Sequence, residues 1–117
     1  MATRELRGEA RIPVTQRGNL GTGSEWFPCM VLDVSNSGFL MMSNKQLPVG
    51  QTLEFRCELY PGKVLECMVE VMHSTGDSAG MMITEIDDGS TKLLHTYIEE
   101  KYAVKLSTIK ARRSDDQ

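Results

Sequence analysis

The chain has 117 residues, with 13 Lys and Arg against 16 Asp and Glu, a formal charge of −3. That is one domain's length, able to bury roughly two-thirds of its unfolded surface in a single core. The acidic balance argues against a non-specific grip on a nucleic-acid backbone, and no apolar run approaches the roughly 18 residues of a membrane-spanning helix.

Residues 1–20 contain no apolar leader-like run, so the sequence predicts a soluble cytoplasmic protein with neither nucleic-acid partners nor membrane insertion. Its three cysteines, Cys29, Cys57 and Cys67, are odd in number, lie in apolar strand-like segments and lack C-x-x-C spacing. They are expected to be reduced core residues, with no disulfide, no metal site and no cofactor. Most of the eight methionines fall in the same segments and are expected in the core.

In chain order, residues 1–11 are polar and contain Arg4, Arg7 and Arg11. They read as a flexible arm, mobile without ligand, that leads into a strand from Ile12 to about Asn19. Gly21-Thr22-Gly23 turns the chain, and Trp26 to Asp33 returns as the second strand. The stretch Asp33-Val34-Ser35-Asn36-Ser37-Gly38 is a polar turn between apolar segments, and Phe39 to Met42 continues beyond it as a third strand. Leu53, Phe55, Cys57 and Leu59 alternate with polar residues, as do Leu65, Cys67, Val69 and Val71 after the Pro61-Gly62 turn. Ala79 to Ile86 makes a sixth apolar run. Six short strands that each hide one face predict a closed antiparallel β-barrel, which also removes exposed edges. Asp87, Asp88 and Ser90 then mark a helix start, with Leu93, Leu94, Tyr97, Ile98 and Tyr102 at helical spacing facing the barrel. The domain is expected to cover 12–102, followed by a polar tail over 103–117 that is expected to be disordered from Ser107 to Gln117.

In a hairpin, the start of one strand lies beside the end of its partner, so the Arg7/Arg11 pair is expected near the turn that begins at Asp33. Guanidinium forks bind phosphate oxygens and stack on planar rings, whereas a carboxylate and a hydroxyl suit the donor-rich edge of a base such as guanine. Asp33 and Ser35 offer those groups, and Gly38 omits a side chain where a flat ligand could approach. Together these features describe a phosphate-bearing purine nucleotide.

The pair of motifs, Arg7-Gly-Glu-Ala-Arg11 before the first strand and Asp33-Val-Ser-Asn-Ser-Gly38 at the next turn, resembles the R-x-x-x-R and D/N-x-S-x-x-G signatures of the PilZ domain family. A later Gly-x-x-aromatic pattern is echoed by Gly80-Met-Met-Ile83, and the resemblance covers about Leu6 to Tyr102. It implies a six-stranded antiparallel PilZ-type β-barrel with a C-terminal α-helix that binds cyclic di-GMP. Carried over, Arg7 and Arg11 hold phosphates and guanine faces, and Asp33, Ser35 and Gly38 line the guanine and ribose side. Arg4, Leu6, Ser37 and Gly80 are further candidates. Leu6 stands where many relatives have another Arg, which favours one ligand per chain over two. Ile83 replaces the usual aromatic residue. His73 occupies a strand end where relatives often place Trp, and its phase with the apolar face predicts a partly buried rim position.

The favoured function is therefore a cyclic di-GMP receptor or adaptor that changes its surface on binding and signals through an unidentified protein partner. The alternative is a PilZ-like scaffold that acts by protein contacts without nucleotide. An enzyme is disfavoured, because the nominal hydrolase set of Ser35 or Ser37, His73 or His95 and Asp33 lacks a nucleophile elbow.

Overall fold

The computed structural model of the chain describes residues 11–115, with side chains described as far as Val104. Its elements are β1 (Ile12–Gly21), β2 (Trp26–Val34), β3 (Gly38–Ser43), β4 (Thr52–Tyr60), β5 (Lys63–Ser74), β6 (Ala79–Ile86) and the helix α1 (Asp88–Asp115). The strands follow the order β1-β2-β3-β6-β5-β4 and close into a barrel. Closure is made by β1 and β4, through the antiparallel pairs Asn19–Arg56, Leu20–Phe55 and Gly21–Glu54. The expected fold class is the observed one.

Alternation explains which side chains fill the barrel. Leu53, Phe55 and Cys57 of β4 and Leu65, Cys67, Val69 and Val71 of β5 are all buried, and the residues between them are not. Phe39 and Phe55 meet inside with ring centroids 4.7 Å apart. The helix adds Leu94, Tyr97 and Ile98 to the same core. Asp87 caps its start, its carboxylate accepting from the Ser90 amide at 2.7 Å. The Ser90 hydroxyl in turn accepts from the Glu66 amide at 3.1 Å, fixing that end of α1 to β5. Tyr60 of β4 donates to the Glu100 carboxylate and meets the Tyr97 ring edge-on.

Three expectations are corrected. Tyr102 is exposed rather than packed on the barrel. The backbone stays helical to Asp115, well past Tyr102 where the polar tail was expected to begin. Residues 103–115 contain neither Gly nor Pro, and a helix already nucleated by a capped, packed first half needs only favourable residues to propagate. Of the described methionines, only Met41 and Met81 are buried, whereas Met42 and Met72 are exposed. Met30, Met68 and Met82 are half-buried on the outer face, because they alternate with inward neighbours. Among the described residues no helix is long and apolar enough to cross a membrane.

The three cysteines are free and buried, as expected. Burial pushes each thiol from 9.0 up to about 12. The sign of the resulting pH dependence follows. Above pH 9 the unfolded chain releases these protons while the folded chain keeps them, so stability is full below that value and falls as pH rises toward about 12. Urea melts should therefore show a midpoint that is level up to about pH 9 and declines above it. A thiol reagent at about pH 8 should react with the three cysteines only as fast as the protein unfolds. Rapid labelling of the native protein would contradict the buried placement.

Candidate functional site

The site follows from the barrel's register. The buried residues Ile12, Val34, Phe39, Met81 and Val71 are cross-strand partners in sequence across β1, β2, β3, β6 and β5. The next row, one position along, is Pro13, Asp33, Leu40, Gly80 and His73, and it faces outward. Bulges set this phase. In β2 the extra residue is Leu32, which allows Val31 and Val34 both to point inward with Asp33 outward. In β5 the extra residue is Met72, and it turns His73 to the outside.

Arg11 and Asp33 meet at one end of this row, as expected. The Arg11 guanidinium donates to the Asp33 carboxylate at 3.1 Å, with the two side chains 45% and 21% exposed. The pair is therefore reachable by a ligand, and the carboxylate holds the fork in place. Arg4, Leu6 and Arg7 lie outside the described residues.

The turn behind Asp33 is built by its own polar groups. Ser35 is buried, and both its amide and its hydroxyl donate to the Gly38 carbonyl, at 2.9 and 3.3 Å. Its hydroxyl shapes the turn from inside rather than facing solvent. The Ser37 carbonyl accepts from the Ile83 amide at 2.8 Å, tying the turn to β6. Gly38 lies against that strand, where an added Cβ would fall 2.0 Å from the Met81 carbonyl oxygen. The space left by its missing side chain is thus filled by β6 backbone, which is a structural requirement for glycine whatever binds nearby.

At the other end of the row, a Cβ on Gly80 would come within 2.0 Å of His73 Nε2. The imidazole lies across the glycine. His73 is exposed, contrary to the partly buried position expected from its phase, because the Met72 bulge reverses that phase. The outward placement of His73 over Gly80 is legible only once the register is known. Ile83 is half-buried and packs against the core, so it belongs to the barrel rather than to the row.

The result is a shallow outer surface with an Arg–carboxylate pair at one end, the half-buried Leu40 as its floor, and at the far end an imidazole that covers Gly80. It can hold a planar, hydrogen-bonding ring with an anionic group. Among the described residues, neither His73 nor His95 hydrogen-bonds to Ser35, Ser37 or Asp33, and no cluster of His, Cys, Asp or Glu is placed to hold a metal ion.

A family model described as "PilZ domain" matches residues 5–100. The Bacillus subtilis inhibitor of motility MotI (DgrA) is similar in structure at TM-score 0.74 and 16% identity, over 85% of this chain and 52% of MotI. The PilZ domain of Escherichia coli YcgR, solved with c-di-GMP, is similar at TM-score 0.68 and 10% identity, over 95% of this chain and 98% of that domain. PlzA of Borreliella burgdorferi, in complex with c-di-GMP, gives TM-score 0.62 and 16% identity, over 83% of this chain and 44% of PlzA. The chain spans about half the length of MotI and less than half that of PlzA. No curated protein sequence matches it.

Two substitutions separate the turn's structural and polar roles. Gly38→Ala forces β6 away from the turn and should cost about 1–3 kcal/mol of stability by urea denaturation. Asp33→Ala breaks only a partly exposed ion pair and should cost about 1 kcal/mol or less. Equal losses would mean that Asp33 is needed for the fold as much as the glycine.

Proposed function

The chain belongs to the PilZ domain family, and on that premise we propose that it is a receptor for cyclic di-GMP, without a catalytic step, whose output passes through a protein partner. The observation that carries this reading is the Arg11–Asp33 pair at the end of an outward row floored by Leu40 and Gly80. A guanine edge presents N–H donors, which Asp33 accepts, and the ligand's phosphate takes the Arg11 fork. The His73 imidazole provides a flat face at the far side of the floor. Ser35 and Gly38 contribute by holding the turn, so their role is to position Asp33. Arg7, four residues before Arg11, adds the second guanidinium of the motif. The neighbours solved with c-di-GMP support the choice of ligand.

Arg11 exchanges part of its bond to Asp33 for phosphate when the ligand arrives. That exchange, together with Arg7, draws residues 1–11 onto the outer face and changes the surface shown to the partner. Reduced, buried thiols and an intracellular second messenger both suit a cytoplasmic receptor.

The test is calorimetric titration with cyclic di-GMP, using cyclic di-AMP and GTP as controls. Selective binding of cyclic di-GMP is expected. Arg7→Ala and Arg11→Ala should each weaken it about ten- to a hundred-fold, the loss of one charge-assisted contact, with thermal melts nearly unchanged. A folded protein that binds none of the three would return the chain to the ligand-free scaffold reading.

Stoichiometry gives a second check. Leu6 offers no guanidinium to stack on a second guanine or offset its phosphates, so one ligand per chain is expected. Saturation at two would refute this, and a count lowered by Arg4→Ala would then identify Arg4 as the missing cation.

A further inference from the structure

A second outward row circles the barrel away from the nucleotide row. Trp26, Gly21, Glu54, Met68 and Glu85 are successive cross-strand partners across β2, β1, β4, β5 and β6. On each strand that the two rows share, they lie five to eight residues apart, roughly 15–25 Å at strand rise. Over the second row lies a groove of about 450 Å³. We propose that this groove is a docking surface for a protein segment that carries lysine or arginine beside apolar residues.

The groove has an apolar wall and floor. Trp26 is 48% exposed, and its indole lies down over Gly21, where an added Cβ would meet two ring carbons at 3.0 Å. The missing side chain at Gly21 gives the ring a fixed seat, so a partner meets a preorganised aromatic surface. Half-buried Met68 and Ile86 continue the apolar floor beside it.

Its charge is one-sided. Glu54, Glu66, Glu85 and Asp87 line it, and among the described residues the one lining cation, Arg56, pairs with Glu66 at 3.0 Å and stands 5.8 Å from the indole centroid. Among the described residues, Glu54 and Glu85 make no ion pair. Asp87 is engaged as the helix cap but keeps its charge. A lysine or arginine side chain matches this arrangement: its methylenes cover Met68, and its head reaches the indole and the two unpaired carboxylates. Arg56 already demonstrates the cation–ring geometry from within the chain.

The same features select against other occupants. Nucleic acid and anionic lipid bring phosphates toward a negative wall. A second copy of this face would oppose like charges. No cluster of described His, Cys, Asp and Glu residues is placed to hold a metal ion.

Trp26 is the chain's sole tryptophan and lines this groove, so its fluorescence reports on binding there, and the charge-reversed variants assign the signal to the groove. The nucleotide-free protein is titrated with a short tryptophan-free peptide of alternating Lys and Leu, and with its Glu and Leu counterpart, so the result is independent of the nucleotide reading. The basic peptide should give a saturable shift of Trp26 emission that weakens with salt, and the acidic peptide none. Glu54→Lys/Glu85→Lys should lose roughly tenfold or more in affinity for the basic peptide. Asp77→Lys/Glu99→Lys, an equal charge change away from the groove, should bind like the wild type. If the first pair fails to fold, Glu54→Gln/Glu85→Gln takes its place with a smaller loss expected. The proposal is overturned if the two peptides act alike, if anionic vesicles give the shift, or if both charge-reversed pairs lose equally. It is also overturned if the shift follows the protein's own concentration, which would identify a second copy.

Discussion

The constraint on which the rest of this molecule depends is that successive residues of a strand cannot both face the inside of a closed barrel. Ile12, Val34, Phe39, Met81 and Val71 pack inward as one cross-strand row, and their burial obliges Pro13, Asp33, Leu40, Gly80 and His73 to face solvent together. The proposed nucleotide surface is therefore the outer side of a core layer. Its chemical groups are aligned by the same hydrophobic packing that stabilises the fold. Phe39 shows the coupling directly, since its ring packs on Phe55 inside while its neighbours Gly38 and Leu40 form the turn and the outer floor.

The turn that carries Asp33 is rigid for reasons unconnected with any ligand. Ser35 closes it on Gly38, Ser37 ties it to β6, and Gly38 lets the backbones approach to a distance that any side chain would prevent. A carboxylate mounted on such a turn loses little freedom when it accepts hydrogen bonds from a base. Arg11 pairs with that carboxylate at 3.1 Å while remaining 45% exposed, so the proposed site places a reachable guanidinium beside a preorganised acceptor.

The barrel's two outward rows differ in charge and relief. The first sets a guanidinium–carboxylate pair beside Leu40 and an imidazole, and the second surrounds a seated indole with carboxylates. One rigid barrel can thus present a nucleotide site and a partner site without the two competing for the same residues. The strands β1, β2, β5 and β6 pass through both rows.

The sequence by itself determined much of this. Period-two alternation around Phe55 and Val69 marked the strands, Asp87 marked the helix start, and the placement of Arg11 before one strand and Asp33 at the end of its partner foretold that the two would meet. These signals are local or depend only on hairpin geometry, so they survive without knowledge of the fold. What the tertiary structure alone decided was the facing of residues beside bulges. Met72 sends His73 outward, Leu32 keeps Asp33 outward between two inward valines, and Thr84 does the same for Glu85. A bulge is a mismatch of two residues against one on a partner strand, so it exists only in the pairing and leaves no periodicity to read. The same is true of Gly38, Gly80 and Gly21, whose missing side chains matter because of β6 backbone, an imidazole and an indole brought against them from elsewhere in the chain.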